Sequence, residues 1–453
     1  MKTLSETYAN FAVGLRFEDL PEEVVERVKY ILLDFIGVSV AGCECPGSLK
    51  LKEVLLSAGN GEATVLGCDK KTNLLNAALI NGTISHYLDM DDGHKGSISH
   101  PAVTILPAMF ALAETLHCTG REFITAAVAA YEIMCRIGTV MQPEHQSKRG
   151  FHTTGTCGTI GAAIGCSKLL KLNEEQMQNA IGLACIQASG LLEVMNSGVM
   201  SKPFNAGKAA YNGLLSALLA ANGMQSPKKS LEGQKGFFNA MCGKWDEDKA
   251  LRGLGEEYLV LDVYFKFHAA CGLIHSSADA LLDLQRKHSF KSEDVEYVEI
   301  GVQTYAYEVV GKSEDLKEGA EMKFSIPFSA AMVLIYGDLL PNRFNDENLK
   351  DSKVGSLVRK ISVHPSKELD ATFPKLRSST ATVKLRSGEV VNTRVDAAKG
   401  HPENSPTKAE LEKKFFLLSK EYMSLETANR VKERILMFEH EQNVKDLVGF
   451  VYK

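Results

Sequence analysis

The densest group of polar side chains in the sequence lies between residues 86 and 101, in the run HYLDMDDGHKGSISHP. It holds three carboxylates and three imidazoles within 15 residues, and loops held by a rigid scaffold often carry function. Such side chains can exchange protons with a substrate or bind a transition metal. An EF-hand is excluded, because counting from Asp89 places His94 and His100 where the calcium loop needs Gly at about position 6 and Glu at about position 12. Helix capping with a solvated turn is the structural alternative.

Three further motifs carry groups that can bind an anion or move a proton. His152 in GFHTTG precedes an apolar, glycine-rich segment, and an imidazole at a helix amino terminus is disfavoured as a cation. Lys202 in SKPFNAGKAA precedes an alanine-rich helix and can face an anionic ligand. Lys266, Cys271 and His275 share the motif FKFHAACGLIH. Cys271 with His275 four residues later is conceivable as a nucleophile and base, but no third orienting group is evident.

No cofactor motif accompanies these residues. The glycines at 155, 158 and 161 lack the GxGxxG spacing, the P-loop lysine and a preceding strand. None of the ten cysteines forms a CxxC pair, so we expect reduced thiols rather than a zinc or iron–sulfur site. The sequence therefore predicts no metal and no cofactor. A cleft rich in His and Lys suits a small polycarboxylate substrate, with proton abstraction at a carbon next to a carboxylate.

Composition excludes several other classes of protein. The 453 residues include 51 basic and 56 acidic side chains, for a net charge of -5, which gives no electrostatic argument for a nucleic-acid partner. No run of about 18 uninterrupted apolar residues occurs, so we expect no membrane span. The amino terminus is too polar for a secretory signal. These features predict a cytoplasmic enzyme.

The elements that must position the candidate residues are mostly helices. Helical periodicity dominates from about residue 20 to 260, where Asn173 and Gln176 form a predicted capping box. Strand-like runs follow at 294–302 and in a hairpin with Gly388 in its turn. The charged tail, 407–453, is helical again and is expected to pack back onto the amino-terminal helices.

The resulting prediction is a mainly α fold. A large all-α helical domain is formed by both chain ends, residues 1–262 and 399–453, and a smaller α+β lid domain, residues 263–398, is inserted between them.

The motifs LDMDDGH…SHPA, GFHTTGTCG, SKPFNAGKAA, FKFHAACGLIH, KFSIPFSAA and KGHPENSP, in this order, resemble those of the MmgE/PrpD family. The resemblance covers roughly residues 5–445. Members of this family include 2-methylcitrate dehydratase, cis-aconitate decarboxylase and iminodisuccinate epimerase. The resemblance implies a helical domain with an inserted lid, a homodimer, and cofactor-independent chemistry on di- or tricarboxylates between helical domain and lid.

Matching the motifs position by position assigns expected roles to this chain's residues. His100 and His152 are the expected proton-transfer groups, and Asp89 is expected to orient or tune an imidazole. Lys202 is the fourth expected catalytic residue. The expected substrate-binding residues are Lys266, His275, His268 and Cys271.

The chain also departs from the family pattern at several positions. Gly93 stands where the family often has Thr, and Gly272 stands where an arginine is common. Phe328 stands where some members have an aromatic hydroxyl. Loss of the arginine removes a bidentate carboxylate clamp, for which His268 and Cys271 are candidate substitutes.

The leading functional hypothesis is a cofactor-independent lyase of the 2-methylcitrate dehydratase type, acting on a citrate-like acid. Decarboxylation of the cis-aconitate type, or epimerisation of a dicarboxylate, is the first alternative, since both reactions can also pass through a carbanion next to a carboxylate. A catalytically idle scaffold that binds a ligand is another alternative. Metal-dependent hydrolysis by the Asp/His loop is the last.

Overall fold

Helices form most of the first part of the chain, as the periodicity predicted. The computed structural model describes residues 2–196, 200–311, 316 and 319–448. The helices up to residue 262 are α1 (Leu4–Gly14), α2 (Glu22–Gly42), α3 (Pro46–Ser57), α4 (Leu74–His86), α5 (Ala102–Ala113), α6 (Gly120–Met141), α7 (Thr153–Leu169), α8 (Glu174–Gln187), α9 (Glu193–Asn196), α10 (Lys202–Ala221), α11 (Phe237–Met241) and α12 (Glu247–Leu251). The predicted capping box of Asn173 and Gln176 is present at the start of α8.

Two short strand pairs connect parts of this helical region. Strand β1 (Ala63–Thr64) pairs antiparallel with β2 (Lys71–Thr72). Strand β3 (Gly93–His94) pairs antiparallel with β4 (Val263–Tyr264), with Gly93 opposite Tyr264. The second pair matters for function, because it joins the polar loop after α4 to the segment that carries Lys266.

Small residues allow α4, α7 and α10 to pack closely. A Cβ atom on Gly207 would lie 2.2 Å from the carbonyl oxygen of Leu79, and one on Gly213 would lie 2.4 Å from the Cβ of Ala162. Side chains at these positions would therefore force the helices apart. The close packing also brings the amino termini of α7 and α10 together, beside the end of α4.

The α+β segment has a hydrophobic core of its own, drawn from residues 270–391. Its helices are α13 (His275–His288), α14 (Thr304–Val310), α15 (Gly319–Met322), α16 (Ile326–Tyr336), α17 (Asp346–Lys350), α18 (Ser352–Val358) and α19 (Lys367–Asp370). Its strands are β5 (Val295–Val302), β6 (Ile361–Pro365), β7 (Ser379–Leu385) and β8 (Val390–Val395), in the order β6-β5-β7-β8.

Pairing in this sheet is mixed. Strands β5 and β6 are parallel, with Val298 opposite Ile361, and the other two pairs are antiparallel. Gly388 occupies the turn of the predicted hairpin between β7 and β8 with a φ of 92°, which a glycine adopts without strain. Helix α13 packs against β7, β8 and α16.

The carboxyl-terminal helices return to the first part of the chain, as predicted. They are α20 (Lys408–Ser419), α21 (Leu425–Leu436) and α22 (Lys445–Val448), and α20 and α21 pack against α2. The Lys414 ammonium on α20 contacts the Asp34 carboxylate on α2 at 2.5 Å, and both side chains are buried. The mainly α class is therefore confirmed, whereas the domain boundaries at residues 262 and 398 stay predictions.

Helix α6 is long and apolar enough to cross a membrane by length and composition alone. However, 94% of its most apolar window is buried inside the protein, and a core helix passes the same test.

Candidate active site

A cavity of about 100 Å³ lies between the helical region and the α+β segment. Six of the eight residues that the sequence analysis selected line it, and these are Asp89, His100, His152, Lys202, Lys266 and Cys271. They come from the loop after α4, the amino termini of α7 and α10, and the segment after β4. Residues far apart in the sequence are thus brought to one cavity by the packing of these elements.

Asp89 is held between two ammonium groups. Its Oδ1 accepts hydrogen bonds from Lys202 Nζ at 3.0 Å and from Lys266 Nζ at 2.8 Å. Lys266 also donates to the backbone carbonyl of Asp89 at 3.1 Å. The backbone of Asp89 has a φ of 56°, a region that non-glycine residues seldom adopt.

The charges of this trio stabilise one another against burial. Burial opposes ionisation of Asp89, but Lys202 and Lys266 outweigh it and hold the pKa of Asp89 well below its ordinary value. Burial works against the Lys266 ammonium, and the Asp89 charge reverses this effect and raises the pKa of Lys266. The cavity floor therefore holds one carboxylate and two ammonium groups, with an excess of positive charge.

Lys323, which the sequence analysis did not select, supports the loop that carries Asp89. Its Nζ donates to the carbonyl oxygens of Leu88 at 2.8 Å and of Tyr87 at 3.3 Å. Burial lowers the pKa of Lys323 to about 8. Lys323 belongs to the quoted motif KFSIPFSAA, but a lysine in a motif does not reveal whether it binds ligand or backbone.

Asp91 joins two imidazoles behind the cavity. Its carboxylate contacts His86 Nδ1 at 2.9 Å and His100 Nδ1 at 3.1 Å. Burial opposes its charge, but His86 and His100 outweigh burial and hold the pKa of Asp91 well below its ordinary value. Burial lowers the pKa of His100 to about 4. His100 is therefore neutral at physiological pH.

Asp92 differs from its two neighbours in the direction of its pKa shift. Burial and the nearby Asp91 charge raise the pKa of Asp92 well above its ordinary value. Tyr131 donates to its Oδ2 at 2.8 Å, and the backbone N–H of Ala102 donates to its Oδ1 at 3.1 Å. Asp92 thus anchors the start of α5, which is a structural role.

The hydrogen bonds of His100 and His152 define opposite tautomers. His100 Nδ1 faces the carbonyl oxygen of Asp92 at 2.6 Å and the Asp91 carboxylate, so Nδ1 carries the proton and Nε2 has a lone pair. His152 Nδ1 accepts from the amide of Asn205 at 3.2 Å, so its proton lies on Nε2. One imidazole in the cavity is then a proton acceptor and the other an N–H donor.

His152 remains neutral for several reasons at once. Burial first, then Lys202 and the other imidazoles, hold the pKa of His152 well below its ordinary value. The residue precedes α7 directly, where the helix dipole also disfavours a cation.

His86, Asp91 and His100 are the described residues that could hold a metal ion, since their ligand atoms lie within 4.8 Å of one another. The Nδ1 atoms of His86 and His100 contact the Asp91 carboxylate, whereas the buried Nε2 of His86 has no hydrogen-bond partner among the described residues. The prediction that no metal is used stays a prediction.

The structure does not bring His268 and His275 into the cavity. His268 Nε2 contacts Asp279 Oδ1 at 2.8 Å, and His275 Nε2 donates to the carbonyl oxygen of Ala270 at 3.1 Å. Both imidazoles thus use Nε2 within the protein, and neither lines the cavity. Substrate binding by these two stays a prediction. Cys271 lines the cavity, and burial raises the pKa of its thiol, which weighs against a nucleophilic thiolate.

Sequence reasoning did not select His86, Asp91, Asn205 or Arg377. His86 and Asp91 lie within the polar run between residues 86 and 101, and their spacing of five residues was the sequence signal that could have identified them. Asn205 lies three residues after Lys202 on α10, and its amide donates to His152 Nδ1 at 3.2 Å and to the carbonyl oxygen of Leu191 at 3.4 Å. Arg377 lines the cavity from the loop before β7, and no motif pointed to it.

The chain belongs to the MmgE/PrpD family. Residues 6–249 match the model of the MmgE/PrpD N-terminal domain, and residues 268–439 match that of the C-terminal domain. The resemblance drawn from the motifs is thereby confirmed.

Curated relatives of this chain are lyases. It is 28% identical over 446 residues to a cis-aconitate decarboxylase of Aspergillus terreus, with 94% of this chain and 90% of the relative covered. It is 25% identical to the cis-aconitate decarboxylase of Mus musculus, with coverage of 92% and 86%. It is 22% identical to the 2-methylcitrate dehydratase of Salmonella typhimurium, with coverage of 83% and 82%.

Proposed function

We propose that this protein is a lyase that releases carbon dioxide from a cis-aconitate-like tricarboxylate. The observation that carries the proposal is that ammonium groups and apolar side chains line the same cavity. Lys202 and Lys266 lie beside Asp89. Leu273 and Phe324 also line the cavity, and the Phe324 ring centroid lies 5.8 Å from Lys202 Nζ. A carboxylate that leaves as neutral carbon dioxide loses its charge, and apolar side chains beside it favour that change.

Balanced in atoms, the reaction consumes one proton for each carbon dioxide released. The bond from carbon to the leaving carboxylate breaks, and its electron pair spreads through the double bond toward a second carboxylate. The N–H of His152 and the ammonium groups stabilise the developing charge. His100 donates the proton to carbon from Nε2. A bound trianion raises the pKa of His100, and Asp91 holds the resulting imidazolium through Nδ1.

Dehydration of a citrate-like hydroxy acid, which the sequence analysis placed first, is the second candidate. The lone pair on His100 Nε2 favours it, because a neutral imidazole can take the proton from the carbon next to a carboxylate. The N–H of His152 then faces the departing hydroxyl. The greater similarity to cis-aconitate decarboxylases than to 2-methylcitrate dehydratases moves decarboxylation ahead of it.

A direct assay separates these reactions. The purified protein is incubated with cis-aconitate, citrate and 2-methylcitrate in deuterated buffer, and products are followed by NMR together with release of carbon dioxide. We expect carbon dioxide from cis-aconitate, with one deuterium in the product. Formation of an unsaturated acid from citrate or 2-methylcitrate would instead support dehydration. Deuterium uptake without either change would support epimerisation, and no exchange at all would support an idle scaffold.

We also propose that the reaction needs no cofactor and that the protein is a homodimer. Elemental analysis and chelation test the first statement at the cluster of His86, Asp91 and His100. Bound metal together with loss of activity on chelation would contradict it. Light scattering after size exclusion tests the second, and a monomeric mass would contradict it.

A further inference from the structure

Gly272, which lines the cavity, and Gly93, which lies against the lining residue Tyr264, leave room for larger side chains from other segments. A Cβ atom on Gly93 would lie 2.4 Å from Cζ and Oη of Tyr264. A Cβ atom on Gly272 would lie 2.8 Å from Nη1 of Arg377 and 3.5 Å from Oη of Tyr264. Side chains do not approach so closely. The present positions of Tyr264 and Arg377 therefore depend on the absence of side chains at residues 93 and 272.

The Arg377 guanidinium is held in the wall by an aromatic stack. Its Cζ lies 5.5 Å from the ring centroid of Tyr264, and Nη1 lies 3.4 Å from Tyr264 Oη. The Tyr264 ring stacks in turn on His401, with centroids 4.6 Å apart and planes at 3°. The Arg377 backbone is fixed separately, because Ser276 Oγ donates to its carbonyl oxygen at 2.5 Å. Such packing pre-positions the guanidinium for a ligand.

Arg377 differs from the other cations of the cavity in having no carboxylate partner among the described residues. Lys202 and Lys266 both bind Asp89, and Lys95 is paired with Glu403. A planar guanidinium matches a carboxylate with two parallel hydrogen bonds. A buried or half-buried charge without an internal partner is best balanced by an anionic ligand.

We propose that Arg377, seated on Tyr264 beside Gly93 and Gly272, forms a subsite that binds one carboxylate of the substrate. Gly272 lacks the carboxylate clamp that the family pattern predicts at its position. The geometry supplies a guanidinium at the same place from the loop before β7. This inference rests on the proposed function for the substrate class, and it adds the residue that recognises one of the carboxylates.

Binding rather than turnover tests the subsite. The full chain is titrated by calorimetry with tricarballylate, a saturated tricarboxylate that has no double bond or hydroxyl group to react. We expect Arg377→Gln to weaken its binding about 10- to 100-fold, because hydrogen bonds to charged groups are the strong ones. Arg377→Lys should bind with intermediate affinity, since it keeps the charge but loses the planar fork.

The matched control is Arg386→Gln, which removes an exposed arginine in the turn between β7 and β8. It should bind within about two-fold of the original protein, since its charge lies in solvent. A second variant, Gly272→Ala, leaves Arg377 in the chain but pushes its guanidinium away, and it should weaken binding in the same direction. Unchanged thermal unfolding midpoints check that the variants are folded.

The outcomes separate this inference from the proposed reaction. Equal affinity of Arg377→Gln and the original protein for tricarballylate would show that the subsite is wrong, and so would absence of any binding by the original protein. If affinity depends on Arg377 but no carbon dioxide is released from cis-aconitate, the subsite stands and the assigned reaction fails.

Discussion

Replacing Asp89 by Asn would remove the charge that the ammonium groups of Lys202 and Lys266 share. Lys202 keeps 14% of its side chain exposed and can turn toward water, but Lys266 keeps only 2% and cannot. Breaking a buried ion pair by removing one partner costs about 3–5 kcal/mol. Lys266 retains its hydrogen bond to the backbone carbonyl of residue 89, so we expect a loss near the lower value, about 3 kcal/mol.

The change should also reverse the dependence of stability on alkaline pH. In the original protein the pKa of Lys266 is raised, so its stabilising effect is present below the unfolded pKa and is lost as pH rises through the folded value. Without Asp89, burial dominates and places the pKa of Lys266 below its unfolded value. The unfolded state then binds more protons in that window, so the stability of Asp89→Asn rises as pH approaches about 10.

Urea unfolding between about pH 8 and 10 measures both the loss of stability and its dependence on pH. Subtracting the unfolding free energy of the original protein from that of the variant cancels the contributions of other titrating groups. Glu132→Gln is the control. It breaks the buried pair with Arg136 at 3.3 Å, and burial raises the pKa of Glu132 only to about 7. The unfolding free energy of Glu132→Gln should therefore change with pH in the same way as that of the original protein in this range. If the unfolding free energy of Asp89→Asn changes with pH in the same way as that of the original protein, the proposed ion pair between Lys266 and Asp89 is refuted.

Three further changes test the tautomers, the buried imidazoles and the helix packing. Asn205→Asp would place an acceptor against His152 Nδ1 and move the proton away from Nε2, and loss of that donor should lower kcat about 100- to 1000-fold in steady-state assays. Because burial lowers the pKa of His94 and of His100 to about 4, the unfolded state binds more protons below about pH 6.5. The free energy of unfolding, measured with urea, should then fall by about 2 kcal/mol for each of these two histidines between pH 7 and 5. Gly207→Ala should lower the unfolding free energy by about 1–3 kcal/mol, because α4 and α10 would be forced apart.

The two substitutions have control variants, and the pH test has an outcome that would contradict it. Asn222→Asp, at the far end of α10 and exposed, should leave kcat unchanged. Gly14→Ala adds a methyl group with nothing within 4 Å, so it should not destabilise the protein. Stability that does not change between pH 7 and 5 would contradict the neutral state of the buried imidazoles.

The sequence alone was sufficient for the mainly α class, the strands of the α+β segment, the return of the carboxyl-terminal helices and six residues that line the cavity. Periodicity, capping boxes and glycine turns are local properties, so short stretches such as Asn173 with Gln176 predict them well. The motifs also predicted the lyase family, because they place the same side chains in the same order.

Only the tertiary structure decided how those side chains act. Asp89 meets Lys202 from 113 residues away and Lys266 from 177 residues away, and their protonation depends on burial and on these contacts. The tautomers of the cavity imidazoles depend in the same way on Asp91 and Asn205. Arg377 lines the cavity because Gly272 leaves space for its guanidinium and Gly93 leaves space for the Tyr264 ring beside it. Charge pairing and free space arise from packing between distant segments, which a linear sequence does not specify.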